Sequence, residues 1–230
     1  MLDKKYNKAL TVILIIVVIA IFVILGFWGY DVYRKYYINN GANEALQEFD
    51  NRIASRNNTS TNNTSNDIVE SNVSLNIDVN DVETTTNAIS SDGKIAKQTY
   101  KGYTVVGKIE IPSIKLSYPV LNVASKPSME VSVGVMYGPG LNQVGNTVIA
   151  GHNYRNGTFF SNLKNVNNGD LIYITDESGN RVKYTIYNKY TTGSSEFDYA
   201  TRDTAGKREI SLTTCTNDVQ ARLVVWAKED

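Results

Sequence analysis

Arg208-Glu209-Ile210-Ser211-Leu212-Thr213-Thr214-Cys215 is a short run of β-branched and apolar residues, and after six intervening positions Arg222-Leu223-Val224-Val225 opens another. Such runs predict strands, and a six-residue link suits a hairpin that returns Arg222 to the end where Cys215 lies. The same texture extends outward through Thr104–Ile111, Leu116–Leu121, Asn146–Ala150, Leu171–Thr175 and Arg181–Tyr190, and closes with Arg208–Thr214 and Arg222–Lys228. Gly138-Pro139-Gly140, Asn156-Gly157, Asn168-Gly169 and Ser178-Gly179-Asn180 punctuate several of these runs as turns. Only Phe159–Asn165 and the stretch near Ser128–Val133 invite a helical turn. Many short strands without alternating long helices predict an all-β domain, an antiparallel-rich barrel or sandwich, over residues 100–230.

The remainder of the chain has a different character. Residues 1–40 carry 5 basic and 2 acidic side chains, residues 41–99 carry 4 and 9, and the whole chain balances 23 against 23. No net charge is left to attract a polyanion, so a general nucleic-acid binder is not expected. From Ala9 to Tyr30 no charge interrupts 22 positions dominated by Ile, Val and Leu. At a rise of about 1.5 Å per residue that covers the ~30 Å hydrocarbon core, and no polar face remains for packing in a soluble domain. A cleaved signal peptide would have a shorter apolar run and a small-residue cleavage site before Trp28 and Tyr30. Residues 9–30 are therefore expected to be an uncleaved, single-pass anchor. Lys4, Lys5 and Lys8 precede it, while Arg34 and Lys35 follow with Asp31 nearby, which favours residues 1–8 in the cytoplasm and the bulk of the chain outside.

Residues 31–99 are expected to hold a juxtamembrane helix and a spacer. Ala42, Ala45, Leu46, Phe49 and Ile53 recur at helical spacing, whereas residues 57–92 are mostly Asn, Ser and Thr, with little apolar area to offset ordering. Val73, Leu75, Ile77 and Val79 alternate as a docked strand would, over too few residues to decide. The barrel is expected to carry its own core from about Tyr100.

The chain holds one Cys and one His, which excludes a disulfide framework and a Cys/His zinc site. His152 follows the apolar run ending at Ala150 and a Gly, Cys215 ends a strand, and Arg222 opens the next. Singly, each has a structural explanation: a packed thiol, a solvated imidazole, an edge charge. Together they supply a nucleophile, an acid/base and a donor for a developing oxyanion, the set that acyl transfer needs.

These stretches, Ser211-Leu212-Thr213-Thr214-Cys215, Arg222-Leu223-Val224-Val225 and Ala150-Gly151-His152-Asn153, resemble the Cys, Arg and His signatures of the sortases, the membrane-anchored transpeptidases of Gram-positive bacteria. The resemblance covers roughly Val105 to Lys228, including Val106-Gly107-Lys108-Ile109-Glu110-Ile111-Pro112, and departs at Ser211, where the family pattern begins with Thr. It implies an eight-stranded barrel and a two-step reaction. Cys215 would attack the carbonyl after the Thr of a C-terminal Leu-Pro-x-Thr-Gly-like sorting signal of a surface protein, giving a thioacyl enzyme. His152 would protonate the leaving amine and deprotonate the incoming one, Arg222 would donate to the substrate carbonyl, and Thr214 would help position the peptide. The acceptor would be a peptidoglycan precursor or another cell-wall amine. No cofactor and no metal are expected; Glu196 and Asp198 lie in a loop where some family members bind calcium, but two carboxylates do not make a site. The 63 positions from His152 to Cys215 are short for the long helical insertion of class B, although the Asp218–Lys228 tail resembles class B, and no Asp-Pro-aromatic lid of the pilus-polymerising class C is found. A housekeeping-like or class D-like anchoring enzyme is expected. A Cys/His peptide hydrolase and a non-enzymatic binding module on a stalk are the alternatives.

Overall fold

The structure, a computed structural model, describes residues 2–61 and 97–230, with side chains described for Lys8, residues 10–56 and residues 97–230. Most of the Asn/Ser/Thr-rich stretch, including Val73–Val79, lies outside the described residues. Nine strands follow a long helix: β1 (Thr99–Tyr100), β2 (Tyr103–Ile111), β3 (Leu116–Leu121), β4 (Val133–Tyr137), β5 (Gly145–Ala150), β6 (Leu171–Asp176), β7 (Arg181–Gly193), β8 (Arg208–Cys215) and β9 (Ala221–Glu229). Strands β2 to β9 form one sheet in the order β2-β3-β4-β5-β8-β9-β7-β6, which the β2–β6 pairing closes into an eight-stranded barrel. Six of its pairings are antiparallel and two, β3–β4 and β5–β8, are parallel. Closure leaves only the two-residue β1 appended at β2, so the barrel presents no long unpaired edge.

Alternation sorts the side chains. Along β2, Val105, Gly107, Ile109 and Ile111 are buried and the residues between them are not. Ile109, Ile149, Ile172, Ile174, Ile210, Leu212 and Val225 fill the interior together. A second apolar layer covers part of the outside: Tyr199 and Ala200 of the short helix α3 (Asp198–Thr201) pack on Val148 and Val224. This layer explains why nearly all of β8 is buried, its inward and outward faces alike.

The expected strands are present, and two differences stand out. The helical turn anticipated near Ser128–Val133 falls at Lys126–Met129 (α2), whose Ser125 cap shares reciprocal hydrogen bonds with Ser128. Val133 instead begins β4, which the sequence did not suggest. That strand is five residues long and contains Gly134; it exists because β3 and β5 flank it. Phe159–Asn165 contributes a single 3-10 turn, Leu163–Asn165.

The helix α1 (Leu2–Thr61) is unbroken where anchor and juxtamembrane helix were expected as separate pieces. Its described first part, Leu10 to Tyr30, is exposed and apolar, with Phe27 and Trp28 at 75% and 69% exposure. The second half lies against the barrel. Ile38 and Ala42 join the main core, while Ala45 and Phe49 pack with Tyr100, Val105 and Leu121. Gly41 permits this approach, since a Cβ there would stand 2.7 Å from the Tyr100 hydroxyl oxygen. Gln98 Nε2 donates to the Ala45 carbonyl at 2.8 Å, Tyr118 donates to Asn39 Oδ1 at 2.9 Å, and Lys108 Nζ meets Asp50 Oδ1 at 2.7 Å. Residues 38–53 of α1 thus lie over the barrel and share its apolar clusters, covering apolar side chains on β1, β2 and β3.

Candidate active site

Strand register alone assembles the three expected residues. Strands β5 and β8 run parallel with Ala150 opposite Thr213; continued by two residues, that offset of 63 sets His152 level with Cys215. Strands β8 and β9 are antiparallel with Cys215 opposite Arg222. Three residues from three strand ends thus meet at one rim of the barrel, His152 from far along the chain.

The backbone of the rim is tied down. Gly151 N donates to Thr213 O at 3.2 Å, and Phe160 N donates to the His152 carbonyl at 3.1 Å. A Cβ on Gly151 would come within 2.7 Å of Val133 Cγ1 and 2.9 Å of the Phe160 ring, so the residue before His152 must be glycine for the chain to pass between them. Asn153 Nδ2 donates to the Cys215 carbonyl at 3.0 Å and to Asn217 Oδ1 at 2.9 Å, joining the histidine loop to the cysteine loop.

Arg222 Nη1 donates to Cys215 Sγ at 2.8 Å. The thiol is free and partly exposed, and the guanidinium keeps other N–H groups for an incoming oxygen. His152 is 27% exposed at its side chain, and its Nε2 is buried without a hydrogen bond among the described residues. Burial holds its imidazole below the ordinary histidine pKa; Glu130 pulls upward, and Arg34 and Arg222 push further down. Its ring lies 5.1 Å from that of Tyr154, centroid to centroid.

A cavity of about 320 Å³ opens beside these groups, its lining combining His152, Cys215, Arg222, Thr213, Thr214 and Lys126 with the apolar Ala124, Met129, Met136 and Phe197. Polar and apolar groups together suit a peptide with a reactive carbonyl and an aliphatic side chain. Thr214, expected to position substrate, donates its hydroxyl to the Gly151 carbonyl at 2.7 Å. It follows Ile210 and Leu212 in the inward-facing set of β8, whereas Thr213 shares the face of Ser211 and Cys215. The Thr213 hydroxyl is buried and makes no hydrogen bond among the described residues.

Five residues at or near the rim escaped the sequence reading: Asn153, Tyr154, Thr213, Glu130 and Arg34. Counting by two back from Cys215 would have found Thr213. Asn153 and Tyr154 adjoin the histidine, but nothing in their identity says what they touch. Glu130 and Arg34 carry no local signal, because only the fold brings them to His152. Among the described residues, no group of three or more His, Cys, Asp and Glu side chains converges as a metal site would.

A closed barrel with Cys, His and Arg on neighbouring strand ends defines a class, and the comparisons agree. The Sortase domain model matches residues 109–230, just over half of the chain. This chain belongs to the sortase family. It is 30% identical over 138 residues to a Sortase A of Bacillus anthracis, an alignment covering 57% of this chain and 63% of that protein. The solved Sortase A from Corynebacterium diphtheriae is similar in fold, with a TM-score of 0.51 and 30% identity over 56% of this chain and 61% of that one. A Clostridium perfringens Sortase D5 transpeptidase gives 0.51 and 26%, covering 55% of this chain and 74% of that one. The chain thus spans less than two thirds of the length of the first two.

Proposed function

We propose that the protein is a membrane-anchored cysteine transpeptidase that cleaves a C-terminal Leu-Pro-x-Thr-Gly-like sorting signal and passes the acyl group to a cell-wall amine. The observation that carries this reading is the 2.8 Å contact of Arg222 Nη1 with Cys215 Sγ at the mouth of a cavity that His152 also lines. In this mechanism the Cys215 thiolate attacks the scissile carbonyl, and the C–N bond breaks as His152 delivers a proton to the leaving amine. The thioacyl enzyme forms, and an incoming amine, losing its proton to His152, displaces the sulfur. Arg222 donates to the carbonyl oxygen while it carries negative charge. Thr214 forms part of the cavity wall and helps position the peptide from there, its hydroxyl engaged by the Gly151 carbonyl.

The exposed apolar half of α1 is the one described helix long and apolar enough to cross a membrane. It supports an anchor with residues 1–8 in the cytoplasm and the barrel outside. The test is to incubate the protein with a labelled sorting-signal peptide, with and without triglycine. Ligated product that replaces free acid when the amine is added supports transfer. Acid alone in both reactions identifies a hydrolase. No cleavage, together with a Cys215 that resists a charged alkylating reagent in the native state, identifies a binding module.

A further inference from the structure

The carboxylate of Glu130 sits at a junction that the three rim residues do not account for. Glu130 caps the end of α2. Its Oε2 accepts from Tyr154 and, at 2.9 Å, from Arg34 Nη2. Its Oε1 is turned to His152 Nε2 at 3.6 Å, too far for a hydrogen bond. That nitrogen is the buried atom without a partner. Arg34 also lies over the Tyr154 ring, its Cζ 4.3 Å from the centroid, and belongs to α1, one turn beyond Tyr30. One oxygen of the carboxylate is thus held twice from outside, and the other faces the imidazole of the proposed acid/base.

We propose that Glu130 is a positioning residue for His152, fixing the imidazole through Nε2, and that Arg34 on the anchor helix holds Glu130 in place. The inference deepens the transpeptidase reading and rests on it for its effect on turnover. A carboxylate held against Nε2 orients the ring and favours the imidazolium, the form that protonates a leaving amine. Burial opposes that charge first, then Arg34 and Arg222; Lys126 of α2 and Cys215 line the same cavity. Glu130 is 46% exposed at its side chain, so its orienting contribution exceeds its Coulombic one. Since Arg34 is roughly 6 Å along the helix from the last residue of the apolar span, the anchor reaches the catalytic rim directly.

The chain has a single imidazole, so one NMR titration of the full-length protein in detergent micelles reads His152 without reference to activity. Glu130→Gln is expected to move the His152 midpoint to lower pH and to reduce kcat on a sorting-signal peptide roughly tenfold with KM little changed. Glu130→Asp, which keeps the charge, is expected to recover part of both. Arg34→Met is expected to lower kcat several-fold on its own and to add nothing to Glu130→Gln, the non-additivity of residues acting through one contact. A His152 titration indifferent to Glu130→Gln overturns the positioning role, and additive effects of the two substitutions overturn the clamp. Because the titration needs no turnover, it decides Glu130's role even if no peptide is cleaved, an outcome that would count against the transpeptidase reading alone.

Discussion

The two ends of β5 and β8 differ in how their clusters of polar side chains are met. Before β5 begins, Asn142 Nδ2 donates to Asn180 O at 2.8 Å, Asp176 Oδ2 at 3.2 Å and Ile174 O at 3.3 Å, while its Oδ1 accepts from Tyr184 at 3.1 Å. Asp176 Oδ1 in turn accepts from the backbone N–H groups of Ser178 and Asn180. Where β5 and β8 end, His152 Nε2 and the Thr213 hydroxyl have no hydrogen bond among the described residues, and Cys215 meets one guanidinium. A satisfied polar cluster fixes turns and adds stability, whereas unpaired groups beside a cavity stay free to meet a ligand. Helix α1 touches both, with Arg34 at the rim and Arg56 donating to Glu177 O at the other end.

The difference can be broken at several points. Cys215→Ala should abolish peptide cleavage, and Cys215→Ser should leave at most a trace, because a hydroxyl is far less acidic than a thiol. Thermal unfolding of both variants should stay near that of the parent; appreciable cleavage by the Ala variant would refute a thioacyl route. Removing residues 1–96 should strip Ile38, Ala42, Ala45, Leu46 and Phe49 from the barrel and cost about 3–5 kcal/mol in denaturant unfolding. Removing only residues 1–30 should cost almost nothing, and equal stability of the two shortened proteins would show that the barrel closes its core without α1.

Arg222→Lys keeps the charge but loses the fork, so turnover should fall on the order of 10²-fold or more with little change in melting temperature. A stable, fully active Lys variant would assign Arg222 to architecture. Asn142→Ala is the reverse case. Asn142 adopts a left-handed backbone with φ of 58°, which Asn tolerates better than Ala, and its removal takes a partner from the Tyr184 hydroxyl and from the Asn180 and Ile174 carbonyls. It should cost about 2–3 kcal/mol of stability and leave kcat unchanged.

The smallest effect concerns pH. Burial keeps the His152 imidazole below its ordinary pKa of 6.5, so folding favours the neutral ring. As pH falls through 6.5, the unfolded chain takes up this proton first, and the His152 contribution to stability declines until the folded-state pKa is passed. His152→Gln should flatten that part of the stability profile while abolishing turnover. An NMR midpoint above 6.5 would mean that Glu130 outweighs burial.

Much of this was legible in the residues. Short β-branched runs between glycine-rich turns predicted an all-β domain, and the uncharged stretch Ala9–Tyr30 predicted a long apolar helix. The lone Cys and His at strand ends, with Arg222 at the next strand's start, marked the candidate site. Strand β4 was not legible, because five residues with a glycine acquire strand geometry only from neighbours on both sides. The role of Ala42, Ala45, Leu46 and Phe49 was half legible: their spacing predicted a helix with an apolar face, but not that the barrel is what covers it.

Side-chain chemistry and local periodicity belong to the chain by itself, since a strand's alternation and a helix's stripe are set by neighbours a few residues away. The sequence therefore determined the kinds of element present and the three groups able to support acyl transfer. The meeting of those groups was decided by register: the parallel pairing of β5 with β8 brings residues 63 positions apart level, and no local rule specifies which distant strand will pair or with what offset. The same holds for Glu130 and Arg34, whose approach to His152 depends on a helix laid across a closed barrel.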